Sequence, residues 1–298
     1  MKILVTGAWR CTKEQLDSIS ALGHEIIFMQ EEREEMPIKA SEIECVICNG
    51  LFLHHKIESF VNLKYIQLTS AGFDRVPMDY VKEHGIIINN AKGVYSIPMA
   101  EMALCGILQI YKQSDFFRKN QEEHSWERNR GLIELFGKSV GIVGCGNVGT
   151  ECAKRLKAFG CNVVGYDLFP YSSNEYDAIN PMEAFDDGIG GHDVVLLTLP
   201  LTDETRHFMN CDRFSKMKSG SVIVNIARGG VVDTEAMINS LKTHIRGAVL
   251  DVFEEEPLNN LSPLWDMENV ILTPHNSFVG EGNSERLWKV IKKFLENI

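Results

Sequence analysis

The sequence has 298 residues, 44% of them hydrophobic and 24% charged, close to twice the usual length of one domain and ample for substantial cores. Asp and Glu outnumber Lys and Arg by 41 to 30, a net charge of −11. That balance excludes a broad positive surface for nucleic acid or an anionic membrane, though small anions need only a local cluster of donors. No run reaches the roughly eighteen uncharged apolar residues of a spanning helix. The opening Met1-Lys2-Ile3-Leu4-Val5-Thr6-Gly7 reads as a first strand and is too short in apolar residues for a secretory leader.

Taken in chain order, short apolar, β-rich runs alternate with amphipathic stretches. Strands are expected at 2–6, 25–29, 43–48, 64–68 and 86–88, with polar helical segments between most of them. A second series follows at 139–143, 162–166, 194–199, 221–226, 247–252 and 270–272. Apolar runs without period-2 alternation suit strands covered on both faces, as in parallel sheets under helices. The alternation of strand and helix indicates an α/β architecture. Of the eight cysteines, Cys45 and Cys48 form a CxxC inside a strand-like run, where positions three apart face opposite sides of the sheet. Free buried thiols in a reducing cytoplasm are expected, with no metal site.

Between the two series lies 98–122, apolar at Ala100, Leu104, Ile107 and Ile110, a helical spacing, and highly charged from there to Arg130. A domain boundary is placed near Ala100. The last segment, 283–298, reads as an amphipathic helix with Leu287, Val290, Ile291 and Leu295 on one face, able to pack back onto the first domain.

Gly144-Cys145-Gly146-Asn147-Val148-Gly149 is a GxGxxG directly after one expected strand and before a helix-like 150–159. The first glycine permits a tight turn, the second a close approach to a pyrophosphate, and the third close packing of helix on strand. The next strand ends at Asp167, 18 residues beyond Gly149, where an acid that binds ribose hydroxyls is expected. A carboxylate there repels a 2′-phosphate, and residues 168–174 contain no Lys or Arg to neutralise one. NAD is therefore expected over NADP. The first half has no comparable turn, since Gly7 is followed by Ala-Trp-Arg, and is expected to contribute substrate contacts.

The chain resembles the D-isomer-specific 2-hydroxyacid dehydrogenase family, which includes glyoxylate, hydroxypyruvate, D-lactate and phosphoglycerate dehydrogenases. The likeness is carried by Leu135-Phe-Gly-Lys-Ser-Val-Gly-Ile-Val-Gly144, Asn225-Ile-Ala-Arg228-Gly-Gly-Val-Val-Asp233, Leu250-Asp251-Val-Phe-Glu-Glu-Glu256-Pro257 and Thr273-Pro-His275. Thr69-Ser-Ala-Gly72-Phe-Asp74 and Ala100-Glu101 match weaker patterns. The resemblance implies two Rossmann-like, doubly wound parallel-sheet domains with an active-site cleft between them. Residues 1–99 with 277–298 would form a flavodoxin-like substrate domain, and 100–276 the NAD-binding domain.

It also implies a hydride transfer between NAD(H) and the α carbon of a small 2-hydroxy or 2-keto acid. Arg228, at a strand end before Gly229-Gly230, would grip the substrate carboxylate and polarise its carbonyl. His275 would exchange the proton, with Glu256 orienting the ring and stabilising the imidazolium. Asp251 is implied to meet the nicotinamide carboxamide, with Leu199, Pro200, Thr205, Ala227, Arg228 and His275 as further cofactor contacts. Backbone N–H groups of Ser70, Ala71 and Gly72 would hold the substrate carboxylate, an ordinary strand-to-helix turn being the alternative.

In phosphoglycerate-type members the loop after the third strand carries arginines. Here Cys48-Asn-Gly-Leu51-Phe52-Leu53-His54-His55-Lys56 has none, and Leu51 and Phe52 are expected to line an apolar pocket. No appended regulatory domain is expected after the last helix. A homodimer formed through the helix near Ala100 is expected, with burial of that helix inside its own domain as the alternative. Phosphoglycerate-type activity and a non-catalytic NAD-sensing protein remain the alternative functions.

Overall fold

The chain forms two units, Met1–Tyr95 with Gly280–Ile298, and Ser96–Val279, in a computed structural model that describes residues 1–298. In the first unit the order is β1 (Lys2–Thr6), α1 (Lys13–Ser20), β2 (Glu25–Met29), β3 (Cys45–Cys48), β4 (Tyr65–Leu68), α2 (Met78–Glu83) and β5 (Ile87–Asn89). Helix α1 starts where Thr12 and Gln15 cap each other reciprocally, satisfying two backbone donors that a helix end leaves open. All five strands are parallel, in the order β2-β1-β3-β4-β5.

The second unit contains α3 (Ser96–Tyr111), α4 (Ser114–Glu122), β6 (Ser139–Val143), α5 (Asn147–Ala158), β7 (Asn162–Asp167), β8 (Ala178–Pro181), α6 (Phe185–Gly188), β9 (Val194–Leu197), α7 (Cys211–Lys216), β10 (Val222–Asn225), α8 (Thr234–Thr243), β11 (Gly247–Leu250) and β12 (Val270–Leu272). Its seven strands are parallel, in the order β12-β11-β10-β9-β6-β7-β8. The chain then returns to the first unit as α9 (Asn283–Leu295).

Each sheet is covered on both faces. Val194 and Leu196 of β9 join the core under α3 and α5, whereas Val195 and Leu197 face the core under the helices from α6 to α8. The first unit divides in the same way. Cys48 and Leu4 lie in one core, Cys45 and Ile3 in the other, so the two thiols of the CxxC point to opposite faces. All eight cysteines are free, and burial pushes the Cys45, Cys145 and Cys152 thiols up to about 12. Helix α9 buries Leu287, Ile291, Phe294 and Leu295 against Ile3 and Val5 of its own unit. Trp288 stacks on Trp9 with ring centroids 5.6 Å apart, and Arg286 Nε donates to the Val94 carbonyl at 2.7 Å.

The chain crosses between units at Tyr95/Ser96 and Val279/Gly280, and α3 begins at Ser96, before the proline that marks it in the sequence. The helical segment at 98–122 is two helices, broken where Gln113 takes a left-handed conformation (φ 52°). Strand β8 has no apolar run to announce it. It lies at the sheet edge, where a strand-ending proline such as Pro181 is tolerated.

A buried histidine couples this core to pH. His192, 4% exposed, bonds Ser139 Oγ through Nδ1 at 2.9 Å and the Tyr166 hydroxyl through Nε2 at 2.8 Å. Its ring fills space left by Gly141, where a Cβ would lie 2.5 Å from His192 Cδ2. Burial pushes the imidazole below its ordinary value of 6.5, against the opposing pull of Asp193. The unfolded chain therefore binds a proton that the native state refuses, so this site contributes stability above about pH 6.5 that is lost as the pH falls toward the native value. Urea unfolding between pH 5 and 7.5 should show a slope shallower in His192→Gln than in the natural chain, by at most about 1.4 kcal/mol per pH unit. Parallel slopes would contradict a neutral buried imidazole.

Candidate active site

The carboxyl ends of the seven strands bring two groups of residues to one sheet edge. The first surrounds the glycine-rich turn between β6 and α5. Gly144 has φ 92°, and a Cβ on it would lie 2.8 Å from the Leu199 backbone nitrogen, so both the conformation and the space require glycine. A Cβ on Gly149 would lie 2.3 Å from the Gly144 carbonyl oxygen, which lets α5 start hard against the strand. Around Gly146 nothing lies within 4 Å of a Cβ position, leaving an open side. Helix α5 has no side-chain cap at Gly146 and no acidic residue in its first turn. The N–H groups of Asn147, Val148 and Gly149 thus have no intrahelical acceptor, at the positive end of the helix dipole. These are the donors an anion such as a pyrophosphate would use.

Asp167 at the end of β7 accepts from Cys145 N at 2.7 Å through Oδ2 and from Phe169 N at 3.0 Å through Oδ1. Each oxygen keeps a further lone pair for a ribose hydroxyl. Two further residues shape this turn: the Tyr171 hydroxyl donates to the Cys145 carbonyl at 2.7 Å, and the Thr198 hydroxyl donates to the Gly144 carbonyl at 2.5 Å. Both act across long sequence separations and carry no local signal. Leu199 is buried and supports Gly144 with its backbone. The Thr205 hydroxyl donates to the Pro200 carbonyl at 2.7 Å and accepts from Thr202 N at 2.7 Å. Its hydrogen is spent shaping that loop.

The second group follows the adjacent strands β10, β11 and β12, whose ends are in register at Asn225, Leu250 and Leu272. Buried Asn225 accepts from Ala227 N at 3.1 Å and donates to the Arg228 carbonyl at 3.1 Å, forming the turn that presents Arg228. The guanidinium donates to the Ala227 carbonyl at 2.8 Å through Nη1. Next to it, a Cβ on Gly229 would fall 1.8 Å from the Phe253 carbonyl carbon. The Arg228 turn therefore abuts the segment that leads to Glu256.

Asp251, 1% exposed, is the clamp of this edge. Its Oδ1 accepts from Thr273 Oγ1 at 2.6 Å, Asn276 N at 2.7 Å and Ser277 N at 3.0 Å, and its backbone carbonyl accepts from His275 N at 2.7 Å. These bonds hold His275 in a left-handed conformation, φ 49°, which is uncommon outside glycine and persists where surroundings impose it. One Asp251 oxygen, Oδ2, accepts a single bond, from Ser277 N at 3.0 Å, and retains capacity for another donor.

His275 Nδ1 meets Glu256 Oε2 at 2.7 Å, while Glu256 Oε1 accepts from Phe253 N at 3.0 Å. That leaves Nε2 as the ring nitrogen able to address a substrate. Phe278 stands edge-on to the ring with centroids 6.2 Å apart. Of the three consecutive glutamates, Glu254 goes elsewhere. It accepts from Thr234 N at 3.0 Å and meets His207 Nε2 at 2.6 Å. Burial works against its charge, but the bonds from Thr234 and His207 outweigh that and hold the carboxyl below its ordinary value.

In the first unit, Ser70, Ala71 and Gly72 follow β4 at its carboxyl edge. The loop is braced by Asn90 Nδ2 donating to the Ala71 carbonyl at 2.6 Å and Ala91 N donating to Ser70 O at 2.9 Å. Leu51 does not line a pocket. It is fully buried in the core, and Phe52 packs edge-on against Phe60, while Leu53 of the same turn is exposed.

A glycine-rich cradle, a ribose-type acid and an imidazole–carboxylate pair on one parallel sheet edge define a dinucleotide-binding protein equipped for proton transfer. The family model described as D-isomer specific 2-hydroxyacid dehydrogenase, NAD binding domain, matches residues 104–277, and the chain belongs to that family. It is 34% identical over 282 residues to a D-3-phosphoglycerate dehydrogenase of Methanocaldococcus jannaschii, covering 92% of this chain and 53% of that protein. It is 35% identical over 259 residues to a glyoxylate reductase of Thermofilum pendens, covering 82% and 74%. The chain thus spans about half the length of the phosphoglycerate dehydrogenases it matches. Among solved structures, a D-isomer specific 2-hydroxyacid dehydrogenase of Xanthobacter autotrophicus in complex with NADPH and MES is similar with a TM-score of 0.80 and 26% identity, covering 99% of this chain and 95% of that one. No helix is long and apolar enough to cross a membrane.

Proposed function

We propose that this protein is an NAD-dependent dehydrogenase that interconverts a small 2-keto acid and its 2-hydroxy acid. The observation that carries the reading is the His275–Glu256 contact at 2.7 Å, on the same sheet edge as the Gly144–Gly149 cradle. Nicotinamide nucleotide, when bound there, supplies or takes the hydride. Gly144, Gly146 and the N–H groups of Asn147, Val148 and Gly149 would hold its phosphates, Asp167 its ribose hydroxyls, and Asp251 its carboxamide. Leu199, Pro200 and Ala227 wall the site, and Thr205 shapes the loop beside it.

Arg228 binds the substrate carboxylate and draws charge from the carbonyl, and in the first unit the loop of Ser70, Ala71 and Gly72 offers backbone N–H groups to a carboxylate. A ketone receiving hydride gains negative charge on oxygen, and His275 delivers a proton to that oxygen. Glu256 stabilises the imidazolium before the transfer, and in oxidation the proton returns to His275. The turn after β3 lacks arginine, which favours an unphosphorylated acid such as glyoxylate, hydroxypyruvate or a branched 2-keto acid. The likeness to phosphoglycerate dehydrogenases supports phosphorylated substrates as the second reading.

We also propose a cytoplasmic homodimer. Eight free thiols suit a reducing compartment. Helix α3 buries Ala100, Ala103, Ile107 and Ile110 in its own unit while Leu104, Cys105 and Leu108 line an open, largely apolar groove. The test is oxidation of NADH and NADPH against a panel of 2-keto acids. Turnover with NADH well above NADPH is expected, because Asp167 opposes a 2′-phosphate. Tight NADH binding without turnover of any acid would identify a sensing protein instead.

A further inference from the structure

In the first unit a side chain of the protein spans the point where the strand order reverses. In an open α/β sheet ligands bind outside the carboxyl ends of the strands, where strand order reverses. In the order β2-β1-β3-β4-β5 that point lies between β1 and β3. Glu32, from the loop after β2, reaches across it. Its Oε1 accepts from Thr6 Oγ1 at 2.7 Å, at the end of β1, and from Asn49 N at 2.6 Å, just past β3. Its Oε2 accepts from Gly50 N at 2.6 Å. Two successive backbone N–H groups in a turn form a concavity suited to an anion, and here the anion is internal.

The surroundings hold that carboxylate in place. His55 Nε2 donates to the Glu32 backbone carbonyl at 2.9 Å, and Gly7 N donates to the Met29 carbonyl at 2.9 Å. A Cβ on Gly7 would lie 2.2 Å from the Gln30 carbonyl oxygen, so glycine lets the loop after β2 close onto the end of β1. Beside the nest, Asn49 Oδ1 is buried without a hydrogen-bond partner. The crevice adjoins the loop after β4 that carries Ser70, Ala71 and Gly72, since Arg75 Cδ of that loop lies 3.8 Å from a Cβ position on Gly50.

We propose that Glu32 is the resident anion of this crevice and a specificity-determining residue, admitting 2-keto acids with an uncharged tail and rejecting those with a phosphate tail. The backbone donors that would meet a tail phosphate are already bonded, and a fixed negative charge faces it. Histidine 55, a side chain that could otherwise have met such a phosphate, is turned to the Glu32 backbone. The inference rests on the keto-acid reading above.

Two readouts test it. The first is the ratio of kcat/KM for 3-phosphohydroxypyruvate to that for hydroxypyruvate. The second is the rise in Tm produced by inorganic phosphate over that produced by chloride at equal ionic strength, which needs no activity. Glu32→Ala should raise the ratio about tenfold or more and acquire phosphate-dependent stabilisation, while the natural chain and Glu32→Asp, which keeps the charge, show neither. If Glu32→Ala does not fold, Glu32→Gln, of nearly the same size but uncharged, carries both readouts.

A natural chain that prefers the phosphorylated acid would overturn the inference, as would a folded Glu32→Ala with an unchanged ratio and no response to phosphate. If no keto acid is turned over at all, the keto-acid reading fails on its own. The phosphate-dependent Tm of Glu32→Ala then still decides whether the crevice is an anion site.

Discussion

Replacing His275 by Ala should lower kcat for keto-acid reduction by about 10²–10⁴, the usual contribution of a positioned general acid. NADH binding should weaken no more than several-fold, since the phosphate and ribose contacts proposed at Gly144–Gly149 and Asp167 lie on other strands. Steady-state kinetics together with a fluorescence titration of NADH separate the two quantities. The size of the loss follows from how completely the structure commits the ring. Nδ1 is taken by Glu256 at 2.7 Å, and the backbone is fixed by bonds to Asp251, so Nε2 has one direction in which to act. A His275→Ala protein within twofold of natural kcat would remove the imidazole from the chemistry.

The second large effect is expected at Arg228. Arg228→Ala should reduce kcat by about 10²–10³, the cost of losing one preorganised donor to a developing oxyanion. It should also raise KM, because the same guanidinium is the group proposed to grip the substrate carboxylate. Arg228→Lys should recover little, since an ammonium cannot reproduce two parallel N–H donors. The Arg228 turn is supported by Asn225 and by the Gly229–Phe253 backbone contact, neither of which needs the guanidinium. Loss of activity is therefore expected without loss of fold, and circular dichroism on the same sample checks it.

Much of this was legible in the sequence because it is written locally. Strands buried on both faces appear as unbroken apolar runs, and Val194 to Leu197 is such a run, every residue of it 0% exposed. The turn from Gly144 to Gly149 is legible because backbone conformation at Gly144 and close approach at Gly149 admit glycine alone. The edge strand β8 and the break at Gln113 were not legible, the first for want of an apolar run and the second because no glycine or proline marks it.

The remaining features depend on partners far apart in the chain. Asp251 binds the backbone of Asn276 and Ser277, Tyr171 binds the Cys145 carbonyl, and Glu32 reaches Asn49 and Gly50. A solitary acid or tyrosine carries no trace of such a partner in its neighbours. Glu254 and Glu256 show the same limit at close range. Two residues apart and chemically alike, they diverge to His207 and His275 because the chain turns between them.

The most direct test of a shared catalytic centre is a double-mutant cycle on kcat/KM for the best 2-keto acid, using Arg228→Ala, His275→Ala and the double variant, with NADH binding measured for each. If guanidinium and imidazole act on the same carbonyl oxygen in one transition state, the double variant should lose little more than the worse single variant. Losses that multiply in full, or single variants that keep natural activity, would contradict a joint role for Arg228 and His275.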